Sequence, residues 1–125
     1  MTEGDADIGD DERIYNSGRM AFESGDYVRA IKLFRKSAEV EDHFKSWEMI
    51  GSSLMALGDP EAALPCFRQA FEMNPRSCKA GVLLATCMHS LGLPDEDVDG
   101  ILAQVLAVNE TYGPAVRLRE TMGRS

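Results

Sequence analysis

No apolar run in this 125-residue chain approaches the ~20 residues needed to span a bilayer. A membrane is therefore not expected as a partner. The N-terminus has no basic region followed by an apolar core, so a secretory signal is not expected either. Cysteine is sparse and odd in number: Cys66, Cys78 and Cys87 contain no Cys-x-x-Cys pair. That argues against a disulfide framework and for free thiols in a reducing compartment, the cytoplasm. Strand alternation and Asn-Gly hairpin signals are missing, which leaves an all-α fold. The chain also has no Gly-rich phosphate loop, no Gly-x-Ser-x-Gly elbow and no paired-carboxylate motif. His43 and His89 have no cysteine or carboxylate at metal-ligand spacing. The thiols have no His-Asn or cationic neighbours that would activate a nucleophile. An enzyme, a bound metal and a cofactor are accordingly not expected.

A basic face is missing too. The net charge is −8, and phosphate neutralisation requires a basic face, so nucleic acid is not expected as a partner. Six acids and no base within residues 1–12 carry −6 of that charge, leaving −2 for residues 13–125. Residues 1–9 read as a solvated, disordered acidic tail. Such a tail either solubilises the chain or shields a binding groove.

What is present is a period. Gly25, Gly58 and Gly92 are 33 and 34 residues apart, and Ile14, Trp47 and Gly81 keep the same step. So do Gly18, Gly51 and Ala85. Ala30 and Phe34 return as Ala63 and Phe67, then one residue late as Val98 and Leu102. A period of this length marks stacked helix–turn–helix units, each unable to bury its apolar face alone. Six helices are predicted, over about 10–24, 27–40, 43–57, 60–73, 77–91 and 95–108, with a shorter one over 115–122. In the first, Ile14, Gly18 and Ala21, with Met20 and Phe22, keep a helical period. In the second, Ala30, Ile31, Phe34 and Ala38 share a face. Trp47, Ile50, Leu54 and Leu57 form the buried stripe predicted for the third.

Gly58-Asp59-Pro60 is a stop–start signal: a left-handed glycine cap, an N-cap and a first-turn proline. Pro65 lies inside the helix that follows and is expected to bend it. Gly100 costs its helix about 1 kcal/mol against alanine. The last helix carries Val116 in the register of Gly81 but Arg119 and Glu120 beyond it. It is expected to be apolar only at its base, as the end cap of a stack requires.

The middle repeat reads Trp47-x2-Ile50-Gly51-x2-Leu54, Ala63-x3-Phe67-x2-Ala70, Pro75. It closely resembles the tetratricopeptide repeat. The first repeat has Gly18, Gly25-Asp26-Tyr27 and Ala30-Ile31-x2-Phe34, with Asp42 where the closing proline is expected. In the third, Gly81 replaces the tryptophan and Val98 the alanine. The resemblance implies an α–α superhelix of three repeats (about 11–43, 44–77 and 78–112) and a capping helix (about 113–122), together occupying residues 10–125. Gly18, Gly51 and Ala85 would let helices approach closely. Phe34, Trp47 and Phe67 would fill the space between repeats. Cys66 and Cys87 read as small core residues.

Members of this family typically bind a peptide or a helix in a concave groove lined by the first helix of each repeat. Helical spacing turns Tyr15, Arg19 and Phe22 of the first helix away from the packing stripe, with Glu12, Asn16 and Glu23 beside them. The third helix offers Lys45, Met49, Ser52 and Met55, with Glu48. The fifth offers Lys79, Val82, Leu83, Thr86 and His89, with Ser90, and the cap adds Arg117 and Thr121. Tyr15, Phe22, Met49, Met55, Val82 and Leu83 would form an adaptable apolar floor. Arg19, Lys45 and Lys79 would orient the ligand, while Glu12, Glu23 and Glu48 nearly cancel their charge. The carboxylate clamp that some members use for chaperone C-termini would fall on Tyr15, Arg19, Met49, Lys79 and Leu83, and only Lys79 agrees. The expected function is a non-catalytic adaptor that holds a peptide or helix of another protein. The alternatives are a small chaperone for secreted or assembling subunits, and a module that binds a second copy of itself.

Overall fold

In a computed structural model, residues 10–123 are described; the acidic tail read at 1–9 lies outside them. Seven helices follow in order among the described residues: α1 Asp10–Glu23, α2 Tyr27–Val40, α3 Phe44–Ala56, α4 Pro60–Met73, α5 Cys78–Ser90, α6 Asp95–Val108 and α7 Gly113–Gly123. Each helix packs on the next, and first helices of neighbouring pairs also touch, α1 on α3 and α5 on α7. This is the all-α superhelix of three helix–turn–helix repeats and a cap that the period predicts.

The three periodic glycines make the turns. Gly25, Gly58 and Gly92 have φ of 85°, 80° and 73°, the left-handed region closed to most side chains. Each closes a Schellman motif. The residue after the glycine bonds back five positions (Asp26 N to Ala21 O, 2.8 Å; Asp59 N to Leu54 O, 2.9 Å; Leu93 N to Met88 O, 3.1 Å). Asp26 and Asp59 then cap α2 and α4, accepting from the amides of Arg29 and Ala62. In the third repeat the inserted Leu93 takes the aspartate's place in the motif, and Pro94 precedes α6 without a side-chain cap.

Inside each of the first two repeats a glycine meets a ring. A Cβ on Gly18 would lie 2.8 Å from Phe34, and one on Gly51 would lie 2.6 Å from Phe67. The rings therefore fill the space between the two helices of their own repeat, rather than chiefly the space between repeats. The third repeat reverses the volumes. Trp47 and Ala70 of the second become Gly81 and Val105, and a Cβ on Gly81 would collide with Val105 and lie 3.0 Å from Phe71. Bulk has moved from the first helix to the second, which explains the missing tryptophan. Asp42, standing for a proline, accepts the indole N–H of Trp47 at 2.6 Å. Cys66 and Cys87 are buried as expected, and all three thiols are free.

Several expectations need correction. Leu57 is 48% exposed, because α3 ends at Ala56 and Leu57 is its C-cap ahead of Gly58. Met20 is 69% exposed. It occupies in α1 the place of Ser53 and Cys87, which are buried in repeats that follow another; among the described residues none precedes α1. His43 and Ser77 are N-caps rather than first helical residues. Pro65 is tolerated within α4, which runs unbroken from Pro60 with Pro65 on its exposed side. The cap runs from Gly113 to Gly123 and is not apolar only at its base: both Ala115 and Met122 are buried.

Candidate functional site

Two helix starts build the site. α3 opens after His43, whose Nδ1 accepts the amide of Lys45 at 3.1 Å. α5 opens after Ser77, whose Oγ accepts the amide of Ala80 at 3.1 Å. Neither helix has an acid in its first turn, where the helix dipole favours one. Each instead carries a lysine as its second residue, Lys45 and Lys79. Positive potential thus gathers where the two helices begin.

Between them lies a recess of about 500 Å³ lined by Tyr15 and Arg19 of α1, Phe44, Lys45, Glu48 and Met49 of α3, and Ser77 and Lys79. Of the residues expected to line a groove, the structure brings together Tyr15, Arg19, Lys45, Met49 and Lys79. Arg19, Lys45 and Lys79 are exposed at its rim. A smaller hollow of about 260 Å³ adjoins it through Tyr15 and Lys45, and is lined also by Asp11, Glu12, Ser37, Glu41, His43 and Ser46. The Tyr15 ring meets Phe34 edge-on, with centroids 5.3 Å apart.

Seven expected residues lie elsewhere. Phe22 packs edge-on against Tyr27 at 5.3 Å. Met55, Val82 and Leu83 are half-buried against the larger core cluster. Ser52 and His89 are half-buried and Thr86 is exposed, and none of these lines the recess. Phe44 and Ser77 do line it and were not singled out. Ser77 was legible as a helix start two residues past Pro75. Phe44 had no signal beyond its place before Lys45.

The floor is Glu48, only 5% exposed. Its Oε2 accepts a hydrogen bond from Ser77 Oγ at 3.4 Å. Burial raises its pKa above the ordinary carboxylate value, against the opposing pull of Lys79, the Ser77 hydroxyl, Lys45 and His43. Burial also raises the Tyr15 pKa; Arg19 opposes that shift and Glu48 adds to it. The ion pairs among the described residues are Arg19–Glu23 at 3.5 Å and Arg119–Asp99 at 2.7 Å. No cation among the described residues therefore reaches Glu48 within 4 Å. No group of three or more potential metal ligands occurs among the described residues.

A stack of paired helices whose first members share one recess defines a helical-repeat protein. Residues 44–77 match the tetratricopeptide repeat family. The chain thus carries a tetratricopeptide repeat, within a stack of the same helical architecture. By sequence, no curated protein matches. Its fold is similar to that of YrrB, a TPR protein with an unusual peptide-binding site (24% identity, TM-score 0.72, 82% of this chain); the chain spans 53% of YrrB's length. It is also similar to the first TPR of Spaghetti (RPAP3), bound to the HSP90 peptide SRMEEVD (16% identity, TM-score 0.84, 91% and 93% of the two chains). A third similar structure is the Yersinia enterocolitica type III secretion chaperone SycD with a peptide of the translocator YopD (16% identity, TM-score 0.76, 90% and 86%).

Proposed function

We propose that this chain is a non-catalytic interaction module of the cytoplasm that holds a peptide or helical segment of another protein in the recess across α1, α3 and α5. The carrying observation is that Tyr15, Arg19, Lys45, Met49 and Lys79, drawn from all three repeats, line one hollow. Met49 and Phe44 offer apolar anchorage; the rim cations and the Tyr15 hydroxyl offer polar contacts that set direction. Structural relatives that hold peptides, Spaghetti and SycD, support the reading, and SycD also lends support to a chaperone's role. Three free thiols suit a reducing compartment, and no helix among the described residues is long and apolar enough to cross a membrane.

Self-association by end-to-end stacking is the weaker reading. Where α3 and α5 turn Ile50 and Leu84 toward the preceding repeat, α1 carries exposed Ser17, with exposed Arg13 one turn before it. A polar first face is what stops a stack from growing. The test is affinity capture from native lysate with wild type and the Arg19→Glu/Met49→Glu double variant, bound proteins being identified by mass spectrometry. A partner lost from the variant, with helicity intact, supports the recess. Equal capture of the same partners by both removes it.

A further inference from the structure

Three exposed cations at the rim would, taken alone, mark the recess for an acidic ligand. Its floor says otherwise. Glu48 is buried, yet it lines the recess, and its one hydrogen bond engages Oε2 alone. No buried side-chain oxygen among the described residues lacks a partner. Oε1, which makes no hydrogen bond, therefore keeps some accessible surface, and the recess is a hollow that Glu48 lines. The corresponding positions are Tyr15 in the first repeat and Val82 in the third, so the carboxylate stands at the middle repeat alone.

We propose that Glu48 sets the charge selectivity of this recess: it repels acidic side chains from the floor and accepts a hydrogen bond from a neutral donor, the backbone N–H of an extended segment. The ligand class is then a peptide that is uncharged where it meets α3, and not an acidic one. This rests on the recess being the binding site, as proposed above. The physical argument is one of position. An incoming carboxylate meets the rim cations where solvent screens them. At the floor it meets a desolvated like charge, where screening is weak and the interaction correspondingly larger. An N–H at the same place gains a charge-assisted hydrogen bond. The charged or titratable groups around Glu48 are Tyr15 and Arg19 from α1, His43 and Lys45 at the start of α3, and Lys79 from α5.

The test is fluorescence anisotropy with two labelled heptapeptides, one alternating leucine and glutamate, the other its twin with glutamine for glutamate. Wild type at pH 7.5 is expected to bind the glutamine peptide at least as tightly as the glutamate peptide. Glu48→Gln keeps the side-chain shape and an oxygen for Ser77, and is expected to shift the ratio at least tenfold toward the glutamate peptide. Lys79→Gln in that background should withdraw most of the gain. Lowering the pH toward the ordinary carboxylate value should move the wild-type ratio toward that of Glu48→Gln, while the variant itself moves less; the difference isolates Glu48 from the peptide's own carboxylates. Circular dichroism on each variant confirms the fold, and Lys79, being exposed, supplies a variant free of core effects. An unchanged ratio in Glu48→Gln overturns the proposal, as does failure of that variant to bind either peptide. Failure of the recess as the physiological site reads differently: equal capture of partners by wild type and Arg19→Glu/Met49→Glu.

Discussion

A methyl group on Gly51 would lie 2.6 Å from the ring of Phe67, a side chain with almost no exposed surface. Gly100, also inside a helix, would place its methyl in open space, with nothing within 4 Å. Two glycines in one helical stack thus have opposite reasons for being there. Alanine at either gains about 1 kcal/mol of helix propensity. At Gly51 the overpacking cost, roughly 1–3 kcal/mol, outweighs that gain; at Gly100 nothing opposes it. Gly51→Ala should lower the melting temperature by several degrees, about 3–5 °C per kcal/mol lost, and Gly100→Ala should raise it. Thermal unfolding followed at 222 nm reads both, and a gain at Gly51 would mean that Phe67 yields more easily than its burial suggests.

The Trp47 indole donates to Asp42 at 2.6 Å across an exposed surface. Asp42→Ala should cost about 1 kcal/mol, the range for a hydrogen bond that water partly replaces. Its clearer signature is optical, since this is the chain's single tryptophan. The emission maximum and near-ultraviolet dichroism should change while far-ultraviolet helicity stays. An unaltered tryptophan spectrum in Asp42→Ala would show that the indole is held by packing alone.

Glu48 ties stability to pH. Burial raises its folded-state pKa above the ordinary value of 4.5. Between that value and the raised one, the folded chain binds more protons than the unfolded chain at this site. Stability from Glu48 therefore falls as pH rises through that window and is fully recovered below it. Glu48→Gln should flatten the slope of unfolding free energy against pH from about pH 4.5 upward and leave the neutral-pH protein at least as stable. Urea titrations at a series of pH values measure this; parallel curves for wild type and variant would place the carboxylate in a wetter site than the fold gives it.

The period carried most of the fold. The turn glycines and the helix order follow from residues that local physics leaves little freedom; the Gly18–Phe34 and Gly51–Phe67 pairs do not, since the rings were expected between repeats. What stayed hidden depended on neighbours. Met20 keeps the helical period of α1 yet is exposed, because among the described residues no repeat packs on that side of α1. Trp47 and Gly81 occupy one register position with opposite sizes, because Ala70 and Val105 exchange volume on the partner helix. No single-helix pattern reports such an exchange. The site was half legible for the same reason. Spacing finds a face, and so finds Tyr15, Arg19, Lys45, Met49 and Lys79. It does not say how far along that face the hollow extends, which excludes Val82, Leu83, Thr86 and His89. Glu48 was legible as a groove position and illegible as buried, since its burial comes from the start of α5 packed above it.

The capping helix separates a visible contact from a consequential one. Arg119 Nε lies 2.7 Å from Asp99 Oδ1, yet the two side chains are 44% and 49% exposed. An ion pair so wet contributes about 1 kcal/mol or less. Arg119 also stands at the register position of Ile50 and Leu84, both core residues, between buried Ala115 and Met122. Arg119→Leu restores the apolar stripe and should leave stability unchanged or raise it. Met122→Ala removes a buried side chain at no electrostatic cost and should lose about 1–3 kcal/mol, tempered because a terminal helix can fray. Amide hydrogen exchange across residues 113–123 distinguishes the two: protection should hold or rise in Arg119→Leu and collapse in Met122→Ala. The reverse order would make the Arg119–Asp99 pair the tether of the cap, and would imply that α7 is held from its solvent side rather than by its buried face.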